Sequence, residues 1–311
     1  MSKILVIGWG NVAITYVYSL VCKKIEIDDI VIIHHNENKD FDADIEDISH
    51  CLINKQTRIR NGKYLECEDA DIACIAAGIH NDENMIREEF LKKSSEMIKE
   101  IIENLTRHLF KGICLIISNP LDVMTTLSYL YSGFPSNRVI GTGTSLDTNR
   151  LIYYISKRLN VSKQEIHCNV LGEHGFNQFV NWDEVFVSKK PITNLLTKEE
   201  LNDIFECARD ISYKIVKEKG YTNYGISYCA ADITESIINN NNKLINVSTY
   251  DSELEVAVSK PCIINCRGAF AVDVDKTFYI NSVININNEK NYVLKDAKIG
   301  GLTWTKKYFA K

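Results

Sequence analysis

The first half of the chain alternates between two hydrophobic patterns. Short apolar runs, KILVI from Lys3, DDIVIIHH from Asp28, DADIACIAAG from Asp69, GICLIISNP from Gly112 and NRVIGTGT from Asn137, read as buried strands. Between them lie segments with apolar residues at helical spacing: NVAITYVYSLVCK from Asn11, FDADIEDISH from Phe41 and EEFLKKSSEMIKEIIENL from Glu88, the last preceded by the polar stretch IHNDENMIREEF. Strands separated by helices predict a parallel sheet with right-handed crossovers, the doubly wound α/β arrangement.

Beyond Thr142 the pattern changes. Long helices (SLDTNRLIYYISKRLN, KEELNDIFECARDISYKIVKEKG, GISYCAADITESIINN) mix with β-rich stretches (KLINVSTY, PCIINCRGAF) that read as antiparallel hairpins, and the asparagines at 239–242 read as a turn. No flexible linker marks the change. Two packed domains are expected, 1–142 and 143–311, with a site in the cleft between them.

Composition narrows the function classes. The 311 residues are 45% hydrophobic and 25% charged, as in a packed globular protein. Acidic residues (41) exceed basic ones (36), and no Lys/Arg block could neutralise a row of phosphates, so no nucleic-acid partner is expected. The N-terminal apolar run is too short for a secretory signal, and no window approaches the roughly 18 apolar residues of a membrane span. Ten cysteines without a CxxC pair suggest reduced thiols in a cytoplasmic protein.

Two stretches carry chemistry. In GWGNVA, Gly8 and Gly10 allow a tight turn after a strand and a close approach of a pyrophosphate to the backbone N–H groups that open the next helix, with Ala13 as the small third residue. In LGEHG, His174 is open to three readings: catalyst, metal ligand or turn histidine. Asp147 and Arg150 are three apart and share a helix face. A carboxylate beside an imidazole favours its protonated form, as a general acid needs, and an arginine offers a planar fork for a carboxylate.

The ordered set GWGNVA, AAG, an Arg-bearing polar segment, ISNPLDV, GTGTSLDTNR, LGEHG and KGYTNYG strongly resembles the L-lactate and malate dehydrogenase family of NAD-dependent L-2-hydroxy acid dehydrogenases, over nearly the whole chain. The resemblance implies an α/β fold, a Rossmann doubly wound parallel sheet followed by an α+β substrate domain, and a homo-oligomer, dimer or tetramer. It makes His174 the proton donor and acceptor and Asp147 its orienting carboxylate. Arg150 becomes the grip on the substrate carboxylate, and Arg87 the group that polarises the carbonyl. Asn119 and Thr222 match polar groups lining substrate and nicotinamide. The metal reading of His174 then fails, because no second ligand stands at ligand spacing. A relative that had lost turnover would usually lack one of the four charged residues, and all remain.

For the cofactor NAD, the resemblance marks Gly8, Gly10, Asn11, Val12, His34 and Lys39 toward the adenosine and pyrophosphate. It adds Tyr64, Gly78, Ile117, Asn119 and Thr142 along the rest of the site. His34 stands where NAD-specific relatives have an aspartate for the ribose, so weaker discrimination against NADPH is expected, narrowing further near pH 6.

The substrate is expected to be a small neutral 2-oxo acid. Asn81 replaces the arginine of malate enzymes and is shorter than the glutamine usual in lactate enzymes, which favours pyruvate, with branched or longer 2-oxo acids next. Phe176 after the histidine turn looks like the L-2-hydroxyisocaproate branch. His167 has the position of a fructose 1,6-bisphosphate contact in activated bacterial lactate enzymes, but Ile152 replaces the arginine, so no such activation is expected.

Overall fold

The structure, a computed structural model, describes residues 2–34, 42–52, 57–79 and 85–296; Lys39 and Asn81 lie outside the described residues. The first half runs β1 (Lys3–Ile7), α1 (Asn11–Cys22), β2 (Asp29–Ile33), α2 (Ala43–Ser49), β3 (Arg58–Asn61), β4 (Ile72–Ile75), α3 (Arg87–Arg107), β5 (Ile113–Ile116), α4 (Leu121–Ser132) and β6 (Val139–Gly141). The six strands are parallel in the order β3-β2-β1-β4-β5-β6. Strand order reverses between β1 and β4, the point at whose carboxyl ends open α/β sheets hold their ligands.

Alternating side chains explain why this sheet is covered twice. Ile4 and Val6 join Ile30, Ile32, Ile72 and Cys74 on one face, packed against α1. Leu5 and Ile7 join Val31, Ile33, Ala73 and Ile75 on the other, packed against α3 and α4. Strands buried on both faces read as unbroken apolar runs, which is why most were visible in the sequence.

Two elements were not. β3, RIRN, is an edge strand with little apolar content; Arg60 forks onto Asp29 at 3.0 and 2.8 Å and reaches Glu66 at 2.5 Å. α4 is buried from Leu121 through Ser128, so it lacks the polar face that makes helical spacing legible. The Asn119–Pro120 bond before it is cis.

The second half continues with α5 (Ser145–Leu159), β7 (Ile166–His167), β8 (Leu171–Gly172), β9 (Gln178–Phe179), β10 (Phe186–Val187), β11 (Lys190–Pro191), α6 (Lys198–Lys219), α7 (Tyr224–Ile238), β12 (Lys243–Asp251), β13 (Val256–Asn265), β14 (Gly268–Ala271) and α8 (Ile280–Asp296). β12 and β13 form a long antiparallel ladder from Lys243↔Ile264 to Asp251↔Val256. The turn before it holds Asn240 and Asn242 in the left-handed region. β12 touches β6 through Ser248↔Gly141, and β13 touches β8 through Ser259↔Gly172. The parallel sheet thus runs on into the antiparallel strands and brings the segment after β8, with His174, beside the ends of β5 and β6. A third core gathers Leu151 and Ile155 of α5 with Leu201, Ile204 and Ala208 of α6. Among the described residues no helix is long and apolar enough to cross a membrane.

Candidate active site

The glycine turn after β1 has the geometry its sequence requires. Gly8 has φ +91°, and a Cβ there would stand 2.6 Å from Cα of Ala77, so only glycine lets the β1 and β4 ends approach. A Cβ on Gly10 or Gly78 would meet nothing within 4 Å. Gly10 is the N-cap of α1, whose first turn holds no acidic residue. The N–H groups of Asn11 and Val12 open the helix at its positive end with no acid beside them in that turn, which suits a pyrophosphate. At the end of β6, Oγ1 of Thr142 is buried without a partner among the described residues, and Ile117 closes the end of β5 beside exposed Asn119. These residues fit a dinucleotide lying across the strand ends.

His34 ends β2 with Nε2 2.9 Å from Oδ1 of Asn61 and 3.6 Å from Oδ2 of buried Asp42, the N-cap of α2. Tyr64, just after β3, stacks its ring on His108 at 6.5 Å between centroids and packs on the core under α3.

His174, Asp147 and Arg150 are brought together. Asp147 and Arg150 lie on α5, and Nδ1 of His174 is 2.6 Å from Oδ2 of Asp147, while Nη1 of Arg150 donates to Oδ1 of Asp147 at 3.2 Å. Burial alone would push the imidazole's pKa down, but the Asp147 carboxylate outweighs it and lifts His174 to about 8. Burial would likewise raise Asp147; the charges of His174 and Arg150 overcome this and hold it below the ordinary carboxylate range. The site thus pairs a protonated imidazole with a buried anion that fixes its tautomer.

Asp122, at the start of α4, escaped the sequence reading. Its Oδ2 accepts from the backbone N–H of His174 at 2.7 Å and its Oδ1 from Oγ of Ser248 at 2.5 Å. Burial raises its carboxyl to about 6. The available signal was a lone acid in the otherwise uncharged helix LDVMTTLSYLYS.

The other expected residues are more dispersed. Arg87 opens α3 and pairs with Glu289 of α8 rather than with the histidine cluster; its Nε donates to Oε1 of Glu289 at 2.9 Å. Thr222 is half-buried just before α7, next to Asn223, whose Nδ2 donates to Oγ1 of Thr15 on α1 at 2.7 Å. Phe176 is 71% exposed and lies against Tyr213 and Arg209 of α6. Ile152 packs against the third core.

Comparison with known proteins finds the same pattern along the chain. Residues 2–141 match the lactate/malate dehydrogenase NAD binding domain, and residues 144–299 match the lactate/malate dehydrogenase alpha/beta C-terminal domain. The L-lactate dehydrogenase of Bacillus pumilus is 33% identical over 301 residues, covering 91% of this chain and 95% of its own. That of Borrelia hermsii is 34% identical over 256 residues, covering 80% and 81%. Among solved structures, a lactate dehydrogenase from a Medee basin deep-sea metagenome library aligns with TM-score 0.88 at 30% identity, covering 94% of this chain and 99% of that one. The minor L-lactate dehydrogenase of Enterococcus mundtii, in its ligands-bound form, aligns with TM-score 0.89 at 26% identity, covering 94% and 98%.

Proposed function

The chain belongs to the lactate/malate dehydrogenase family, and from that premise we propose that it is an NAD-dependent L-2-hydroxy acid dehydrogenase serving pyruvate and L-lactate. The observation that carries the chemistry is the 2.6 Å contact between His174 and buried Asp147, with Arg150 alongside. Bound NADH supplies the hydride for the carbonyl carbon. Arg150 grips the substrate carboxylate with its planar fork. Asp147 accepts from the Nδ1–H of His174, so the transferable proton sits on Nε2 and passes to the carbonyl oxygen. General acid catalysis of this kind contributes about 10²–10⁴-fold. Arg87 supplies positive charge where that oxygen becomes an anion, and Asn119 and Thr222 line the polar side of the pocket. The open glycines and the α1 terminus hold the cofactor pyrophosphate, with residues 1–142 as the dinucleotide-binding part and 143–311 as the substrate part.

The exposed ring of Phe176 favours a second substrate class, branched or longer neutral 2-oxo acids, because it adds apolar surface two residues from His174. Exposed Tyr18 on α1 and Tyr224 and Tyr228 on α7 support a homo-oligomer, and ten free cysteines support a reducing, cytoplasmic setting. Purified protein with NADH and a panel of 2-oxo acids, followed by NADH absorbance, tests the reading. Oxidation of NADH by pyruvate or a branched homologue is expected; no turnover with any of them would refute it.

A further inference from the structure

We infer that Glu289 on α8 is a positioning residue that holds Arg87 away from the reacting carbonyl and sets how much of its guanidinium is free to act. The inference rests on the role proposed for Arg87. Both Nε and Nη2 of Arg87 donate to Oε1 of Glu289. The Glu289 side chain is only 11% exposed, and among the described residues its Oε2 has no partner and Arg87 is the sole donor to Oε1.

The rest of this face of α8 is spent on the histidine turn. Ser282 accepts from the N–H of Glu173 at 3.0 Å and donates to the carbonyl of Asn177 at 2.8 Å. Asn285 donates to Oε1 of Glu173 at 2.5 Å, and Asn177 donates to Oε2 at 2.6 Å. Glu173 is therefore satisfied by two amides and does not need Arg87. Glu289 does: the departure of Arg87 strips a shielded carboxylate of its cation.

The competition is unequal at the two stages of the reaction. A neutral ketone oxygen is a weaker partner for a guanidinium than a carboxylate, so the bound substrate draws Arg87 poorly. The alkoxide forming in the transition state draws it well. Glu289 thus reduces the population of the binding-competent arrangement, and apparent affinity falls with that population. Removing its charge should release Arg87 to the ground-state complex.

The test is Glu289→Gln, nearly the same shape without the charge. The pyruvate KM should fall at least about threefold while kcat is not lowered. The double variant Arg87→Gln/Glu289→Gln should keep the KM of Arg87→Gln alone, because Glu289 has nothing left to hold. An unchanged or raised KM in Glu289→Gln overturns the inference, as does an equal fall in the Arg87→Gln background, which would show that α8 acts by packing. A measurement on the unaltered protein stands beside these: the ¹⁵N resonance of the Arg87 Nε–H should shift when NAD⁺ and pyruvate are added together, and a resonance that does not move overturns the inference. Turnover with no response in Glu289→Gln sinks this proposal alone; absence of any 2-oxo acid turnover sinks the proposed function with it.

Discussion

His174 is governed by contacts from two directions, Asp147 at its Nδ1 and Asp122 at its backbone N–H. Its pKa of about 8 lies above the ordinary histidine value, so it is protonated at neutral pH. Reduction consumes that proton; its rate should therefore fall as pH rises through about 8, while oxidation, which needs the neutral ring, should rise over the same window. The same raised value stabilises the fold fully below pH of about 6.5 and is lost as pH passes through about 8. His174→Asn should cut turnover by at least about 100-fold, and a loss under tenfold would remove the proton-donor role. Asp122→Asn should cost about 1–3 kcal/mol in denaturant unfolding, because an amide presents its NH₂ to one of two donors that both need an acceptor. A neutral effect on stability and rate would show that the Asp122 contacts are dispensable. The grouping of His174, Asp147 and Arg150 was legible because i, i+3 spacing and the ordered motifs pointed to one site. Asp122 was not, since its partners His174 and Ser248 are 52 and 126 residues away.

At the scale of elements, legibility followed amphipathicity. α3, α5 and α6 each present one apolar face and were read directly, whereas α4 is buried along most of its length and β3 is a polar edge strand whose register is set by its neighbour β2. The junction of β2 and α2 shows how much more an element end can say once folded. The sequence exposes His34 where a ribose carboxylate is expected, and the structure adds Asp42, 3.6 Å from the ring while its other oxygen caps α2. An imidazole cannot accept from two ribose hydroxyls as a carboxylate does, nor repel a 2′-phosphate, so discrimination against NADPH should be weak. Asp42 offsets the attraction of a protonated ring for phosphate, so NADH should remain the better cofactor. His34→Asp should widen the NADH preference in kcat/KM by at least about tenfold, equivalent to about 1.4 kcal/mol. An unchanged ratio would show that His34 does not face the ribose.

At the scale of the molecule, the change of pattern near residue 142 divides chemistry more than it divides the fold. The two cores that flank the parallel sheet each draw on both halves. The face of the parallel sheet that carries Ile4, Val6 and Ile30 shares a cluster with Ala230, Ala231, Ile233 and Ile237 of α7, and the opposite face shares one with Ile286 and Val293 of α8. Polar contacts repeat the dependence. Tyr16 and Thr234 hydroxyls meet at 2.7 Å inside the first interface, Lys23 bridges Asp232 and Glu235, and the N–H of Ala257 donates to Oγ1 of Thr126 at 2.9 Å. The hydrogen-bonded sheet itself crosses the boundary at Ser248↔Gly141. Separating the halves would expose apolar surface on both faces of the six-stranded sheet at once, at about 25 cal/mol per Å², and would leave the buried Tyr16 and Thr234 hydroxyls without each other. Heat should therefore melt the chain in one transition, with calorimetric and van 't Hoff enthalpies equal per folding unit, and isolated residues 1–142 should bind a hydrophobic dye and lack a cooperative melt. Two resolved transitions in the full chain, or a sharply melting isolated fragment, would show instead that the functional division is also a division of the fold.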